Sequence, residues 1–212
     1  MDQRFHPNIN DYELIYGALP DDRGELVLKL QENLKLDPEK VIEEENRINS
    51  IEWLEKDLIF YLVPKGTPRP RNDGTHFYVK HADEAHRLFK KYLSGEGIIC
   101  TRVSYELEAF LPTPLTNMTK MEVLMAEKGL IRPLVTPDWD NLAKTYTDCL
   151  QNVLLLNDNV ICDGKVSKYY SVKPRIRIIL RWMREFDSRF NEKKTIVTVG
   201  YKKLVNGGTT IL

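Results

Sequence analysis

The sequence predicts an α+β fold, in which helices pack on a mixed β-sheet and an acidic helical extension precedes the sheet. Some segments carry apolar residues at helical steps of three and four, and others alternate apolar with polar residues as half-buried strands do. The two kinds of segment do not alternate strictly along the chain, which favours a mixed sheet. No apolar run approaches the roughly 20 residues that span a bilayer, so we expect no membrane segment.

The acidic extension is residues 1–57. It holds 7 Lys and Arg against 15 Asp and Glu, a net charge of −8, whereas residues 58–212 have a net charge of +8. Asp37 and Pro38 are typical of a helix start, and this helix is predicted to end near Asp57. Its apolar positions recur at helical intervals: Val41, Ile48, Ile51, Leu54 and Leu58. The charge split suggests a basic body that binds a polyanion, with a solvated lysine-rich surface as the ordinary alternative.

Residues 58–185 form the predicted main domain, and residues 186–212 form a basic C-terminal extension. A strand at 58–63 leads into a loop marked by prolines at 64–71. Helices are predicted at 82–93, from 119 to 129 and from about 138. Further strands are predicted at 76–80, 103–111, 160–162, 165–172, 175–182 and, in the C-terminal extension, 195–204.

The cysteines and histidines do not form a metal-binding pattern. Cys100, Cys149 and Cys162 are odd in number and far apart, so we expect reduced thiols and a cytosolic or nuclear protein. Three of the four histidines fall five residues apart, a spacing that places them on no common face of a helix or a strand. A histidine metal site is therefore not expected.

Acidic residues cluster where the helix near 138 begins. Pro137 precedes Asp138, and apolar residues follow at steps of three and four, so Asp138 and Asp140 open this helix. Asp140, Lys144 and Asp148 then share one helix face. Aspartate is also an ordinary residue at a helix start, and Lys144 is equally an ordinary partner of the flanking carboxylates.

A third carboxylate, Asp158, is predicted to approach this pair within the same subunit. Ten helical residues carry the chain about 15 Å from Asp138, and eight extended residues after Leu150 can return about 26 Å. The run Asn157-Asp158-Asn159 is equally a turn signal, because both side chains tolerate turn geometry.

Three carboxylates without a histidine or thiolate ligand are typical of a hard-cation site. Such a site selects Mg²⁺, and Mn²⁺ can substitute for it. The cation polarises a phosphodiester and lowers the pKa of a bound water, and a nearby lysine suits the charge of the transition state. The pattern therefore favours phosphodiester hydrolysis.

The run Pro137-Asp138-x-Asp140-Asn141-Leu142-x-Lys144, followed by Asp148 and by Asn157-Asp158-x-x-Ile161, resembles the signature of the RusA-type Holliday-junction resolvases, some of which are phage-encoded. The resemblance covers about residues 58–182. It implies a homodimeric, Mg²⁺-dependent endonuclease that resolves four-way DNA junctions in the cytoplasm of a bacterial or phage-infected cell. It also implies that Asp138, Asp140 and Asp158 are metal-binding catalytic carboxylates and that Lys144 is the catalytic lysine.

One position departs from the family pattern. The family usually has two adjacent aspartates where this sequence has Asn157-Asp158. We place the catalytic aspartate at Asp158, because it precedes Ile161 at the expected distance. If the loop is aligned without its shortening, Asn159 takes that position. A protein that binds branched DNA without cutting it is therefore an alternative.

Basic residues predict the DNA-binding surface. In the run from Arg175 to Ile178 arginine alternates with isoleucine, so one strand face presents arginines that can follow a phosphate backbone. A solubilising strand face would instead mix charges of both signs. The candidate phosphate contacts are Lys65, Arg69, Arg71, Lys173, Arg175, Arg177 and Arg181. A two-fold dimer would match the two like strands of a junction that are cut in pairs.

Two further hypotheses concern residues 1–57. This extension is a candidate interaction module for a replication or packaging partner, or a dimer contact. Its charge of −8 also suggests that it shields the basic body until DNA displaces it.

Overall fold

The computed structural model of the chain describes residues 20–66 and 80–184. The strand predicted at 195–204, most of the strand predicted at 76–80, and the candidate DNA contacts Arg69 and Arg71 lie outside these ranges. The chain divides into two compact units, Met1–Ile51 and Glu52–Leu212. In the described parts, no helix combines the length and the apolar character needed to cross a membrane.

Within its described part, residues 20–51, the first unit contains two helices, α1 (Arg23–Asn33) and α2 (Pro38–Asn49). Each begins at an aspartate whose carboxylate accepts backbone N–H bonds: Asp22 from Gly24 at 2.9 Å, and Asp37 from Glu39 at 3.1 Å. Such caps stabilise a helix by about 1 kcal/mol. Neither helix buries a residue. The sequence patterns predicted α2 but missed α1, which has only a weak apolar stripe.

The expectation that α2 continues to about Asp57 is wrong, because the helix ends at Asn49 and strand β1 spans Trp53–Phe60. Leu54 and Leu58 are four residues apart, a spacing that fits one face of a helix and one face of a strand equally well. Residues along β1 alternate between exposed and half-buried, which only a strand explains.

As far as the structure describes it, the second unit is built on a four-stranded sheet with the order β1-β4-β2-β3. The other strands are β2 (Val103–Pro112), β3 (Ile161–Ser171) and β4 (Arg175–Met183). β4 pairs antiparallel with both β1 and β2, whereas β2 and β3 are parallel. The predicted mixed sheet is therefore confirmed. The strands predicted at 160–162 and 165–172 form the single strand β3.

In residues 52–66 and 80–184, three α-helices accompany the sheet: α3 (Lys80–Leu93), α4 (Lys120–Glu127) and α5 (Trp139–Leu150). α3 contacts α5, and both α4 and α5 contact β3. Every second residue of β2 is buried, and these residues form one core with apolar residues of the helices. The fully buried side chains include Phe89, Val103, Leu107, Leu142, Tyr146, Leu150 and Ile178. Because β2 and β3 are parallel, residues 113–160 cross from the end of one strand to the start of the other.

Candidate active site and nucleic-acid interface

The start of α5 carries Asp138 and Asp140. Asp138 occupies the residue before the helix, with the extended backbone of a capping residue, but its side chain makes no capping hydrogen bond. The aspartates that precede α1 and α2 do make such bonds, and so does Thr119 before α4. The ordinary role of an aspartate at a helix start therefore does not account for Asp138, and its carboxylate is left for another partner.

A cavity of about 510 Å³ opens beside this helix start. Three segments meet around it, namely the loop after β1, the end of β2 and the first turn of α5. Its lining includes Lys65, Gly66, Leu111, Pro112, Asp138 and Asn141. One carboxylate and one exposed lysine thus face an apolar hollow at the carboxyl end of β2.

The loop after β1 is docked tightly on α5. The backbone N–H of Lys65 donates to the hydroxyl of Tyr146, 3.2 Å away. Burial raises the pKa of Tyr146 above its usual range, so this hydroxyl stays neutral. A Cβ on Gly66 would lie 2.9 Å from Cβ of Asn141 and 3.1 Å from Cβ of Pro137, which leaves room only for glycine. This contact brings the predicted DNA ligand Lys65 to the edge of the Asp138 cavity.

Asp158 lies beside the other end of α5. It opens a short 3₁₀ turn, Asp158–Val160, and accepts a long 3.5 Å hydrogen bond from the Gln151 side chain. Partial burial raises the pKa of Asp148; nearby Lys144 opposes this rise and the charge of Asp158 adds to it. The charges of Lys144, on α5, and Asp158, beyond its end, therefore both act on Asp148.

The expected approach of Asp158 to Asp138 and Asp140 does not occur within one chain. The rise of α5 between Asp138 and Asp148 is about 15 Å. Across residues 20–66 and 80–184, no group of three or more His, Cys, Asp or Glu side chains is placed to hold a metal ion.

The chain does not turn back along α5 because its next segment is pinned at the start of β2. The N–H of Ile99 donates to the carbonyl of Leu154 at 2.7 Å, and the carbonyl of Ile99 accepts from Leu156 at 2.9 Å. Asp158 follows two residues later, at the amino ends of β2 and β3, whereas Asp138 borders a cavity at the carboxyl end of β2.

Asn157 stabilises the turn that carries Asp158. Its side-chain oxygen accepts from the backbone N–H of Asn159 at 3.1 Å. The turn signal in this run is therefore confirmed, and asparagine performs the capping role here without an acidic charge.

Two of the predicted phosphate contacts lie over aromatic rings. The ammonium of Lys173 is 4.4 Å from the centre of the Tyr61 ring, and the guanidinium of Arg175 is 3.7 Å from that of Phe110. Arg175 also donates to Ser171 Oγ at 3.0 Å. These contacts orient both cations without neutralising their charge.

The other two predicted arginines of β4 are ion-paired. Arg177 lies 2.7 Å from Asp57 and 3.2 Å from Glu108, and Arg181 lies 2.6 Å from Glu55. The Arg177 guanidinium lowers the pKa of Asp57. This part of the sheet face mixes charges of both signs, as a solvated strand face does.

Sequence reasoning missed Lys168 of β3. Its ammonium donates to the carbonyls of Val135 and Pro137, at 2.8 Å and 3.1 Å, immediately before Asp138. Its partners are main-chain atoms, so no pattern of side chains signals the contact.

Comparison with known proteins adds an independent line of evidence. The chain matches the family model for endodeoxyribonuclease RusA over residues 60–181. It is also 34% identical over 130 residues to "Uncharacterized protein YqaN" of Bacillus subtilis (strain 168), an alignment that covers 57% of this chain and 92% of that protein. The family match includes β2, α4, α5 and β3, and with them every predicted catalytic residue. The chain therefore belongs to the RusA family of endodeoxyribonucleases, hydrolases that resolve Holliday junctions.

Proposed function

We propose that this protein is a Mg²⁺-dependent endonuclease that resolves four-way DNA junctions, with Asp138, Asp140 and Asp158 as metal ligands and Lys144 as the catalytic lysine. The observation that carries the proposal is the position of Asp138. Its carboxylate stands at a helix start without a capping bond and borders the cavity that also contains Lys65.

The residues at the start of α5 suit a hard divalent cation, because carboxylate oxygens are the ligands that Mg²⁺ prefers. The bound cation would polarise the phosphodiester and supply an activated water. The first turn of a twelve-residue helix also favours the scissile phosphate, through its unpaired N–H groups and the helix dipole. Lys144, on the next turn, offers positive charge to the transition state, and Lys65 is a contact for a neighbouring phosphate.

We further propose that the active enzyme is a homodimer in which Asp158 of one subunit completes the Asp138 and Asp140 site of the other. The distance between these residues within one chain supports a shared site. Exposed apolar side chains on α4, on the segment that follows it and on the first residue of α5 support a subunit contact: Met121 is 65% exposed, Leu130 71%, Leu134 96% and Trp139 59%. Two symmetry-related sites also suit paired cuts in like strands.

The decisive experiment is cleavage of a labelled four-way junction, with Mg²⁺, Ca²⁺ and chelator in parallel. The proposal expects paired nicked duplexes with Mg²⁺ alone, and no cutting by Asp140→Asn despite normal junction binding. Normal cleavage by Asp140→Asn would refute the assignment.

Mixing two inactive variants tests the shared site. In a dimer of one Asp140→Asn and one Asp158→Asn subunit, a shared arrangement leaves one site with all three aspartates, so nicking of one strand should return. If each site belongs to one chain, both sites stay defective and no nicking returns. The result therefore decides between the two arrangements without changing the proposed chemistry.

One alternative function is favoured by the separation of Asp158 from Asp138, namely branched-DNA binding without cleavage. The same assay separates the two functions, because a binding protein would shift the junction in a gel and yield no nicked product with Mg²⁺.

Residues 1–51 lie outside the residues matched by the family model, and neither α1 nor α2 buries a side chain. We propose that this unit contacts a protein partner in the cytoplasm, where the DNA substrate is found. Deletion of residues 1–51 should leave junction cleavage unchanged and abolish capture of that partner.

A further inference from the structure

The segment between α4 and α5 leads into the proposed metal site but has little regular structure of its own. Residues 131–137 form no helix or strand. Pro133 is buried, but Leu134 is 96% exposed and Val135 is 55% exposed, so apolar burial does little to hold the part of the segment that follows Pro133. Asp138 follows directly, and its position depends on whatever fixes this segment.

A single residue of β3 is hydrogen-bonded to this segment at three points. The Lys168 ammonium donates to the carbonyl of Val135 at 2.8 Å and to that of Pro137 at 3.1 Å. The backbone carbonyl of Lys168 accepts from Arg132 Nε at 2.5 Å. Three points of one irregular segment are thus tied to one strand residue.

The strand that carries Lys168 is itself held firmly. The guanidinium of Arg132 lies 3.7 Å from the centre of the Tyr169 ring, and Tyr169 stacks on Phe110 of β2 at 5.1 Å. At the other end of the segment, Glu127 of α4 accepts from Ser171 Oγ and from the N–H of Val172, both at 2.9 Å. The sheet therefore serves as the fixed reference for the main chain before Asp138.

The geometry points to Lys168 as a positioning residue: we propose that its ammonium fixes the main chain at Val135 and Pro137, and thereby places the Asp138 carboxylate for metal binding. This inference rests on the proposed role of Asp138. Hydrogen bonds from an ammonium are among the stronger ones in proteins, and two on carbonyls two residues apart restrict the backbone between them. A displacement of about 1 Å at a reacting group can lower a rate about 100-fold.

The test uses the full chain with Lys168→Met, which keeps an unbranched side chain only one atom shorter and removes the charge and donors. Lys168→Gln serves as a second variant if the first folds poorly, with circular dichroism and melting as the check. Lys165→Met is the matched control, because Lys165 lies three residues earlier on β3 and pairs with Glu106 at 2.5 Å.

Three measurements are compared. Mn²⁺ affinity without DNA should fall about 10-fold in Lys168→Met and stay unchanged in Lys165→Met. Amide hydrogen exchange in residues 132–139 should accelerate in Lys168→Met alone. Junction binding in Ca²⁺ should remain within about twofold of the original protein. Lys168→Arg keeps charge and donors and should recover most of the Mn²⁺ affinity.

A double variant shows whether the effect passes through Asp138. If it does, adding Lys168→Met to Asp138→Asn should cause no further loss of Mn²⁺ affinity. Unchanged Mn²⁺ affinity and exchange in Lys168→Met would overturn the inference. So would weaker junction binding with an unchanged metal requirement, since that result would make Lys168 a DNA contact. Protein that binds Mn²⁺ but never cuts junctions would refute the proposed function and leave these two readouts as tests of Lys168.

Discussion

Arg177 donates two hydrogen bonds to the carboxylate of Asp57: its Nε lies 3.0 Å from Oδ1 and its Nη2 lies 2.7 Å from Oδ2. The two residues belong to neighbouring strands, β4 and β1. The third nitrogen of the guanidinium reaches Glu108 at 3.2 Å. An arginine held between two carboxylates has little net charge to offer a phosphate, although its place in a row of arginines suggests otherwise.

This pairing predicts an unequal contribution of the basic residues to DNA binding. Lys173→Ala should weaken junction binding and reduce the salt dependence of affinity by about one phosphate contact, whereas Arg177→Ala should change affinity less than about twofold. Gel-shift titrations at several salt concentrations measure both effects. Equal salt slopes for the two variants would contradict the assignment.

The same pair predicts a pH-dependent term in stability. Asp57 has a pKa below its usual 3.8 in the folded protein, because Arg177 stabilises its charged form. The stabilisation is present above pH 3.8 and disappears as pH falls through the lowered pKa. Asp57→Asn should therefore lower the free energy of unfolding by up to about 1 kcal/mol at pH 7, and by progressively less below about pH 4. Urea unfolding of the original protein and of Asp57→Asn at pH 7 and pH 3 measures the difference in their free energies of unfolding. A larger stability difference between the original protein and Asp57→Asn at pH 3 than at pH 7 would contradict the prediction.

Gly66 offers a test of the docked loop. A Cβ at this position meets Asn141 and Pro137 at distances that atoms do not tolerate, so Gly66→Ala must push the loop away from α5. We expect a loss of about 1–3 kcal/mol in stability and a larger relative loss in cleavage rate. Gly164→Ala is the matched control, because nothing lies within 4 Å of its added Cβ. Melting curves and single-turnover cleavage distinguish the two variants, and equal behaviour would rule out the tight contact.

The cysteines should react unequally with thiol reagents. Burial raises the pKa of Cys149 to about 12 and also raises that of Cys100, whereas Cys162 is exposed. Because the thiolate is the reacting form, a disulfide reagent at pH 8 should label one thiol quickly in folded protein and three after unfolding. Cys162→Ser should remove the fast reaction. Rapid labelling that survives this substitution would place a second thiol at the surface.

Local sequence patterns predicted most of the fold. The alternation from Val103 to Leu111 and the helix starts at Thr119 and Asp138 were all confirmed, because each depends on neighbours within a few residues. The end of α2 was not predictable, since Leu54 and Leu58 suit both a helix and a strand.

The arrangement of the site was harder to predict. A reach argument limits how far Asp158 can travel, but the pairing of Ile99 with Leu154 decides where it stops, and that contact joins residues far apart in sequence. The contact made by Lys168 could not be predicted for a related reason. Its partners are carbonyl oxygens, which every residue carries, so only coordinates reveal which of them it meets.

The parallel pairing of β2 and β3 affects how the proposed catalytic residues can be inherited together. Asp138, Asp140, Lys144 and Asp158 all lie in the single connection 113–160, and the strands on either side determine where that connection starts and stops. Recombination could graft this stretch into a related scaffold as one cassette. The receiving scaffold would have to supply the loop with Lys65 and Gly66, which lines the Asp138 cavity, and Lys168 of β3, which bonds to the main chain before Asp138.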